Sequence, residues 1–325
     1  MTSFNDFSLN PEILKALKEL KYVEPSPVQA KAIPYIQARR DLIAIAETGS
    51  GKTATCAIPI CNRVNTSSSK TQALIIVPTR ELAMQYTSET QKIGKYRGVK
   101  SFAIVGGEDA GIQEAKLSHA VHVLVATPGR LIDFIYSRRI DLSQVEVLVL
   151  DEADEMLNMG FYEDLQFIIQ CLVHEHQTLL FSATMPKQIR SLAKNHLKDP
   201  VEVSLMRKNI SPENIEHRFL YCRADERPNA LIDLIRQTKP KQSLIFCHTR
   251  SEVEKVCRAL RNAIDAVDFL HGSLNQDARK IITRKFRNGR VKHLVATNVA
   301  ARGLDFSSVS HVFIYHLSDD PDIYV

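Results

Sequence analysis

The stretch "DLIAIAETGSGKT", residues 41–53, decides the fold class of this chain. Its first six residues form a largely apolar run, which is typical of a strand buried on both faces of a parallel sheet. A glycine-containing loop follows, and the helical stretch "GKTATCAIPICNRV" begins at Gly51. Because a strand that passes through such a loop into a helix is the arrangement of a phosphate-binding loop, the stretch predicts an α/β domain that binds a nucleotide.

The loop "AETGSGKT", residues 46–53, matches the phosphate-binding pattern except that alanine replaces its first glycine. The glycines let the backbone turn tightly and aim its N–H groups at a phosphate, beside the positive end of the following helix. Lys52 is expected to reach the terminal phosphates, and the Thr53 hydroxyl to bind Mg²⁺. The candidate cofactor-binding residues of this loop are Ala46, Thr48, Gly49, Ser50, Gly51, Lys52 and Thr53.

Apolar runs alternate with amphipathic stretches in two series, which predicts two tandem α/β domains with mostly parallel sheets flanked by helices. The first series comprises 41–46, 72–78, 100–105, 121–127, 145–151 and 178–184, and the second 217–222, 243–248, 267–272, 292–297 and 311–316. A polar, proline-containing stretch at 205–214 separates the two series. We therefore assign the N-terminal domain to 1–207, a linker to 208–214 and the C-terminal domain to 215–325.

Length and composition agree with a globular protein of two domains. The chain has 325 residues, of which 44% are hydrophobic and 24% charged, and its net charge is +5 from 42 basic and 37 acidic side chains. The mild basic excess is compatible with a polyanionic partner but does not establish one. No apolar run approaches the ~20 residues that cross a bilayer, and the N-terminus lacks a signal peptide, so we expect a cytoplasmic protein without a membrane partner.

An acidic cluster follows the fifth apolar run, in "VEVLVLDEADE" at residues 145–155. Asp151 ends the predicted strand and is expected near the phosphate loop, where it can hold Mg²⁺ together with Thr53. Glu152 is then placed to orient or deprotonate an attacking water. The alternative interpretation is an acidic helix start, because carboxylates are favourable there in any protein. The phosphate loop upstream favours the metal interpretation.

The sequence "DEAD" at 151–154, together with "AETGSGKT", resembles the DEAD-box family of ATP-dependent RNA helicases, and other family-like motifs follow in order over essentially the whole chain. The resemblance implies two RecA-like domains, ATP and Mg²⁺ as cofactors, and RNA as partner. "SAT" at 182–184 resembles the segment that links hydrolysis to unwinding, and its hydroxyls can hydrogen-bond Asp154; a capped strand end is the alternative. By resemblance the catalytic residues are Lys52, Asp151, Glu152, Asp154, Ser182 and Thr184.

The stretch "YVEPSPVQ", residues 22–29, with Phe4 upstream, looks like the adenine-recognising Q motif of the family. The Gln29 amide donates and accepts at once, which suits the adenine edge. Tyr22 can stack on the adenine ring. A helix-capping glutamine and a core tyrosine are the alternative interpretation of the same two residues.

Three segments of the first domain match those that hold the RNA backbone in the family: "VPTRELA" at 77–83, "GG" at 106–107 and "TPGR" at 127–130. Their threonines and arginines supply phosphate donors, and the glycines permit close backbone approach. Taken singly, each segment also fits a turn with a surface arginine. The candidate RNA-binding residues here are Thr79, Arg80, Gly106, Gly107, Thr127 and Arg130.

The second domain continues the resemblance in "LIFCHTR" at 244–250, "LHGSLNQDAR" at 270–279 and "VATNVAARGLDF" at 295–306. By resemblance the RNA contacts are Thr249, Gly272, Gln276, Arg279 and Thr297, while Asp305 contacts the ribose and Arg302 the interdomain nucleotide site. The basic stretch 279–292 has the apolar spacing of an amphipathic helix, so most of its charges are expected to face solvent.

The sequence stops at "DDPDIYV", residues 319–325, before the arginine segment "HRxGRxxR" of the family. We therefore expect the second domain to be incomplete here, and protein partners to bind through a C-terminal tail that follows. The predicted function is ATP-dependent, RNA-stimulated remodelling of RNA duplexes or RNA–protein complexes. An ATP-gated RNA clamp without unwinding and a DNA-directed helicase are the alternatives. Aromatic residues are only 7% and tryptophan is absent, so recognition is expected through phosphates and the 2′-hydroxyl rather than through base stacking.

Overall fold

The computed structural model divides the chain into two compact units, Met1–Lys208 and Asn209–Val325. It describes residues 3–46, 49–204, 215–274, 276–297 and 308–316, with the backbone alone at 276, 277 and 280. The linker predicted at 208–214 lies outside the described residues, so its bounds stay a prediction.

A parallel sheet forms the centre of the first unit. Its described strands are β1 (Leu42–Ile45), β2 (Ala73–Ile76), β3 (Ser101–Ile104), β4 (Val123–Ala126), β5 (Val147–Leu150), β6 (Gln177–Ser182) and β7 (Val201–Ser204). They are arranged in the order β3–β4–β2–β5–β6–β1–β7, and every neighbouring pair is parallel. The first six strands coincide with the six predicted apolar runs, whereas β7 was not predicted.

Helices cover both faces of this sheet. They are α1 (Pro11–Glu19), α2 (Pro27–Gln37), α3 (Lys52–Arg63), α4 (Arg80–Ile93), α5 (Ala110–Leu117), α6 (Pro128–Tyr136), α7 (Ala153–Asn158), α8 (Tyr162–Gln170) and α9 (Lys187–His196), with 3₁₀ turns at Phe4–Phe7 and Lys95–Arg97. Alternate residues of each strand point to opposite faces. In β1, Leu42 and Ala44 pack into one core cluster and Ile43 and Ile45 into the other. This two-sided burial explains why the strand runs are continuously apolar.

The second unit repeats the architecture on a smaller scale. Its described strands are β8 (Ser243–Cys247), β9 (Val267–Leu270), β10 (His293–Thr297) and β11 (His311–Ile314), all parallel in the order β11–β8–β10–β9. Its described helices are α10 (Arg227–Thr238), α11 (Arg250–Arg261) and α12 (Gln276–Arg287). As predicted, α12 is amphipathic and buries Ile282 and Phe286. Among the described residues of both units, no helix has the length and apolar character to cross a bilayer.

The strand predicted at 217–222 is wrong, because residues 215–223 have no regular secondary structure. The apolar side chains of this stretch are exposed rather than buried in a sheet: Phe219 is 84% and Tyr221 90% accessible. Their two rings contact each other edge-on, with centroids 5.6 Å apart. An apolar run therefore predicts a strand only where a sheet neighbour is available to receive its hydrogen bonds and its side chains.

Candidate active site and nucleic-acid interface

The carboxyl edge of the seven-stranded sheet brings the predicted site residues together in two groups. Residues predicted to bind RNA follow β3, β4 and β2, and residues predicted to bind or hydrolyse ATP lie at the ends of β5, β6 and β1, the next three strands along the sheet. The first group consists of Gly106, Gly107, Thr127, Thr79 and Arg80, and the second of Asp151, Ser182 and Ala46. Ligands of parallel α/β sheets bind beyond this edge, so the strand order places two candidate sites side by side.

The phosphate loop turns sharply before α3. Gly49 and Gly51 have φ of 82° and 98°, a left-handed region that glycine adopts without the steric cost borne by other residues. A Cβ on Gly51 would also lie 2.9 Å from Gln29 Nε2, so a side chain there would displace the Gln29 amide. Ser50 Oγ is buried and makes no hydrogen bond to the described residues. Thr48, another candidate of this loop, lies outside the described residues.

Lys52, the first residue of α3, is buried against the end of the sheet. Its Nζ donates to the carbonyl oxygen of Ala46 at 3.1 Å and lies 3.8 Å from Asp151 Oδ1. These partners compensate an ammonium group that would be costly to bury alone. Thr53 follows in the first turn of α3 and is half-buried. The loop and the acidic cluster, which are distant in sequence, are thus in contact.

Asp151 accepts two further hydrogen bonds besides its contact with Lys52. The backbone N–H of Glu152 donates to its Oδ1 at 2.8 Å, and the Tyr86 hydroxyl donates to its Oδ2 at 2.5 Å. Sequence reasoning missed Tyr86, although a signal was available. Tyr86 lies on the buried face of α4, and a buried tyrosine hydroxyl requires a polar partner.

Burial gives the phenol and the thiol beside Asp151 strongly raised pKa values. The pKa of Tyr86 is raised chiefly by burial and then by the charge of Asp151. The pKa of Cys56, whose Sγ is 3.9 Å from the Tyr86 hydroxyl, is raised by the same two causes. Both groups therefore remain protonated at neutral pH, and Tyr86 acts as a hydrogen-bond donor.

The first turn of α7 is tied to the end of β6. Thr184 donates twice to Asp154 Oδ2, from its backbone N–H at 2.9 Å and from Oγ1 at 3.0 Å, so the predicted hydrogen bond is present. Ser182 also contacts Asp154, but its Oγ accepts from the backbone N–H at 3.2 Å rather than bonding the carboxylate. Glu152 precedes α7 with φ of 52°, a left-handed conformation that costs a non-glycine residue ~1 kcal/mol or more.

The residues predicted to bind adenine lie beside the phosphate loop. Gln29 Oε1 accepts from the N–H of Ser26 at 2.8 Å, and Nε2 donates to the carbonyl of Gly51 at 3.3 Å. The helix-capping interpretation is therefore correct as a description of this structure, and the same amide also supports the loop. The Ser26 hydroxyl adds a hydrogen bond to the carbonyl of Ser50 at 2.9 Å.

Tyr22 and Phe4 form an aromatic pair next to this region. Their rings meet edge-on with centroids 6.1 Å apart, and Phe4 is buried in the core. The Tyr22 hydroxyl donates to Glu89 Oε1 at 2.6 Å. Burial, followed by this carboxylate, raises the pKa of Tyr22 well above its ordinary value. Tyr22 is thus anchored at its polar end, while Phe4 supports its ring.

Two arginines converge on the loop after β3. Arg80 Nη2 lies 3.6 Å from Glu108 Oε1, and Arg130 Nη2 donates to the Glu108 carbonyl at 3.1 Å. Gly107 has a φ of 73°, and a Cβ there would lie 2.7 Å from Arg80 Nη1, so a side chain at this position would displace the guanidinium. Sequence reasoning selected both arginines and the glycine but missed Glu108, which joins them.

Local hydrogen bonds hold the residues that follow β3, β2 and β4. The buried Gln113 side chain accepts from the N–H of Val105 at 3.1 Å and donates to its carbonyl at 3.0 Å. Thr79 caps α4 by accepting from the N–H of Leu82 at 3.3 Å. Thr127 occupies the corresponding position before α6, and its N–H donates to the Ile104 carbonyl at 3.2 Å. The predicted RNA contacts of this unit therefore lie at two helix N-termini and one glycine turn.

In the second unit, Arg250 follows Thr249 in the chain, and its guanidinium lies near Gly272. Thr249 caps α11 by accepting from the N–H of Glu252 at 3.2 Å. Arg250 Nη1 donates to Ser273 Oγ at 2.8 Å, and a Cβ on Gly272 would lie 3.5 Å from Arg250 Nη2. Arg250 was not among the predicted site residues.

The remaining candidates of this unit are only partly described. Thr297 ends β10 and is nearly buried, opposite Cys247 in the register of β8. Arg279 is half-buried on α12. The Gln276 side chain, Arg302 and Asp305 lie outside the described residues.

Comparison with known proteins finds a helicase family model in each unit. Residues 26–192 match the DEAD/DEAH box helicase family, and residues 226–325 match the helicase conserved C-terminal domain. The chain is 42% identical over 325 residues to the DEAD-box ATP-dependent RNA helicase CshA of Geobacillus kaustophilus. This match covers 100% of the chain and 70% of that relative. It is 40% identical over 323 residues to CshA of Bacillus subtilis, covering 99% of this chain and 65% of the relative. The chain thus spans about two thirds of the length of these curated relatives.

Solved structures share the architecture. S. cerevisiae Dbp5 bound to RNA and ADP BeF3 matches with a TM-score of 0.88 at 30% identity, covering 99% of this chain and 82% of that one. A DEAD box protein from the hyperthermophile Methanococcus jannaschii matches with a TM-score of 0.62 at 34% identity, covering 100% of this chain and 88% of that one. The predicted fold class, two α/β domains with parallel sheets, is confirmed.

Proposed function

This chain belongs to the DEAD/DEAH box helicase family, and from that premise we propose that it is an ATP-dependent RNA helicase. It remodels or unwinds short RNA duplexes or RNA–protein complexes, and it couples this work to RNA-stimulated ATP hydrolysis. The name of the Geobacillus relative supports the activity, and the RNA and ADP BeF3 in the yeast structure support the two ligands. The observation that carries most weight in this chain is the 3.8 Å contact between Lys52 and Asp151 beside the glycine turn.

ATP is proposed to bind at the loop 46–53. Lys52 would release the Ala46 carbonyl and Asp151 to pair with the terminal phosphates, and the N–H groups at the start of α3 would face the phosphate chain. The buried Ser50 hydroxyl, which lacks a hydrogen bond to the described residues, provides one further donor. Gln29 and Tyr22 would recognise the adenine, with Phe4 behind the tyrosine ring.

Mg²⁺ belongs to this proposal, with Thr53 and Asp151 as the residues that would hold it. The donor set fits, because hydroxyl and carboxylate oxygens are the ligands that Mg²⁺ takes in nucleotide sites. Asp151 is also buried beside a loop shaped for phosphate, where its carboxylate oxygens suit a cation. When bound, Mg²⁺ would supply positive charge that neutralises the charge developing on the terminal phosphates during hydrolysis.

Glu152 is proposed to orient or deprotonate the attacking water. Its left-handed backbone at the start of α7 is the kind of local strain that clusters at functional sites. Asp154, two residues further, is fixed by Thr184 at the end of β6. Through this bond the residues after β6 would respond to changes at the acidic cluster, which is the role proposed for Ser182 and Thr184.

RNA is proposed to bind along the part of the sheet edge that carries Thr79, Arg80, Gly106, Gly107, Thr127 and Arg130, and in the second unit at Thr249, Gly272, Gln276, Arg279 and Thr297. Hydroxyl, guanidinium and helix N-terminal N–H groups recognise phosphate and sugar, which carry no sequence information. We therefore propose binding that is independent of base sequence. Discrimination against DNA would come from contacts to the 2′-hydroxyl.

A strand-displacement assay tests the function. A short RNA duplex with one fluorescent strand is incubated with the protein, ATP and Mg²⁺, and ATP hydrolysis is followed in parallel. We expect displacement and RNA-stimulated hydrolysis by the wild type. Glu152→Gln keeps the shape of the side chain but removes the carboxylate, so this variant should retain RNA and lose both activities.

The same assay separates the alternatives. Retention of RNA with ATP but without displacement would favour an ATP-gated clamp. Equal stimulation of hydrolysis by RNA and by single-stranded DNA of the same sequence would favour a DNA-directed helicase. The cytoplasm, which supplies both ATP and RNA, is the compartment in which we place the activity. Protein partners also remain part of the proposal.

A further inference from the structure

Tyr86 extends from the middle of α4 through the core to the carboxylate of Asp151. The tyrosine is fully buried, its hydroxyl oxygen lies 2.5 Å from Asp151 Oδ2, and Cys56 Sγ on α3 is 3.9 Å from the same hydroxyl. A hydroxyl carries one proton, and an ionised carboxylate is a much stronger acceptor than sulfur. Tyr86 therefore gives its hydrogen bond to Asp151.

The two oxygens of Asp151 have different partners. Oδ1 accepts from the backbone N–H of Glu152 at 2.8 Å and faces Lys52 Nζ at 3.8 Å, whereas Oδ2 accepts from Tyr86. Rotation of the carboxylate would break the bonds to both Glu152 and Tyr86. Neither donor can follow such a rotation, because one is a backbone N–H and the other is the end of a ring packed in the core.

We infer that Tyr86 is a positioning residue for the nucleotide–metal site, whose hydroxyl holds the Asp151 carboxylate in its orientation before Mg²⁺ and nucleotide bind. The inference rests on the proposed function, which makes Asp151 a Mg²⁺ ligand. Hydrogen-bond partners that orient metal-ligating side chains typically contribute about 10- to 100-fold to metal affinity or activity. Tyr86 belongs to α4, which begins at Arg80, so the helix that holds Asp151 also starts at the proposed RNA surface.

In a purely structural role, the Tyr86 hydroxyl would only donate a hydrogen bond to the buried Asp151 carboxylate and would not affect Mg²⁺ affinity. The two roles differ in the Mg²⁺ dependence of nucleotide binding. A positioning residue changes the Mg²⁺ concentration needed to support tight binding, but it leaves the weaker binding of nucleotide without metal unchanged. A structural residue changes stability alone.

The test is Tyr86→Phe, which removes the hydroxyl and keeps the ring. Binding of a fluorescent ADP analogue is titrated with MgCl₂ and is measured separately in EDTA. The matched control is Tyr96→Phe, because Tyr96 also donates to a carboxylate, that of Glu19, but is located in the 3₁₀ turn Lys95–Arg97 at the surface. Thermal unfolding curves show that each protein is folded.

We expect Tyr86→Phe to need about 10-fold more Mg²⁺ for half-maximal nucleotide binding, with affinity in EDTA as in the wild type. Tyr96→Phe should titrate like the wild type. A folded Tyr86→Phe protein with an unchanged Mg²⁺ midpoint would overturn the positioning role and leave the proposed function intact. Wild-type protein that binds no nucleotide with Mg²⁺ would overturn the proposed function, and this inference with it.

Loss of the hydroxyl leaves Asp151 Oδ2 without its donor, so the phenylalanine variant is at risk of failing to fold. If Tyr86→Phe is unfolded in buffer, all titrations, including those of the wild type and of Tyr96→Phe, are repeated in sucrose, which favours the compact folded state. The displaced Mg²⁺ midpoint of Tyr86→Phe should persist there. A folded Tyr86→Phe protein with a wild-type midpoint in sucrose would overturn the inference equally.

Discussion

Lys52 Nζ lies 3.8 Å from Asp151 Oδ1, and both side chains are buried at the carboxyl edge of the sheet. The pair joins the first residue of α3 to the residue after β5, so it fixes the phosphate loop against the acidic cluster. Loss of either side chain leaves the other charged group buried without its counter-ion. The free energy of unfolding measured without nucleotide therefore tests whether Lys52 and Asp151 are paired.

We expect Lys52→Met to lower the free energy of unfolding by about 3 kcal/mol, the lower end for a broken buried ion pair. We expect a loss at the lower end of this range because Tyr86 and the N–H of Glu152 continue to stabilise the Asp151 carboxylate. Urea unfolding without nucleotide measures it. The control is Lys52→Met combined with Asp151→Asn, which removes both charges and should recover most of the loss. Wild-type stability of Lys52→Met would contradict the pairing.

Gly107→Ala is predicted to destabilise the protein, whereas Gly106→Ala is not. Gly107→Ala would place a Cβ 2.7 Å from Arg80 Nη1 in a left-handed backbone, while a Cβ on Gly106 would contact nothing within 4 Å. The backbone alone should cost Gly107→Ala about 1–2 kcal/mol, and the displaced guanidinium should weaken RNA binding. Urea unfolding and fluorescence-anisotropy titration of an RNA strand measure the two effects. Equal free energies of unfolding for Gly106→Ala and Gly107→Ala would contradict this account.

His122 is predicted to make the first unit less stable in acid. Its Nδ1 accepts from the N–H of Lys100 at 3.0 Å, and its Nε2 lies 3.0 Å from the Ser68 carbonyl, so the neutral ring satisfies both. Burial, the largest cause, lowers the pKa of His122, and the charge of Lys100 lowers it further against the hydrogen bond to Ser68. The unfolded chain thus binds this proton more readily than the folded protein does.

The stabilisation from His122 is therefore present above the ordinary histidine pKa of about 6.5 and is lost as pH falls through the lowered pKa of the folded state. Urea unfolding between neutral and mildly acidic pH should show a steeper loss for the wild type than for His122→Gln. The exposed His119 offers the control, since His119→Gln should keep the wild-type pH dependence. Parallel curves for wild type and His122→Gln would exclude this role.

The sheets were largely predictable, and the two failures share a cause. Strands buried on both faces, such as β1 and β5, leave a continuous apolar signal of their own. β7 lies at an edge with its alternate residues Glu202 and Ser204 exposed, so its sequence lacks that signal. The opposite error occurred at 217–222, an apolar run without a described sheet neighbour. Position within the sheet, which is not encoded locally, decides both cases.

Site residues that belong to a recognisable motif were predictable from the sequence. Residues that support the site only through tertiary contacts were not. The bond between Thr184 and Asp154 was anticipated because both residues are in motifs with known neighbours. Tyr86 and Glu108 were missed, since neither lies in a motif and each acts on residues far away in sequence. Supporting residues of this kind become visible only when the fold brings their partners to them.

Arg130 provides a direct test of the RNA surface. The residue follows β4 in the first turn of α6, with its Nη2 bonded to the Glu108 carbonyl at 3.1 Å and its Nε 3.8 Å from Asp133 Oδ2. If its guanidinium neutralises one phosphate of a single RNA strand, the logarithm of the affinity should fall less steeply with the logarithm of salt in Arg130→Gln, by about 0.7 in slope. The affinity at low salt should fall as well.

Arg139 gives the matched control for this experiment. It lies just beyond the other end of α6 and pairs with Glu114 Oε2 at 3.4 Å, away from the carboxyl edge of the sheet. Arg139→Gln removes the same charge from the protein, so it should lower RNA affinity only through the weak long-range field and leave the slope almost unchanged. RNA titrations at several salt concentrations compare the two variants. If both reduce the slope equally, RNA responds to net charge rather than to a defined contact at Arg130, and the proposed surface is wrong.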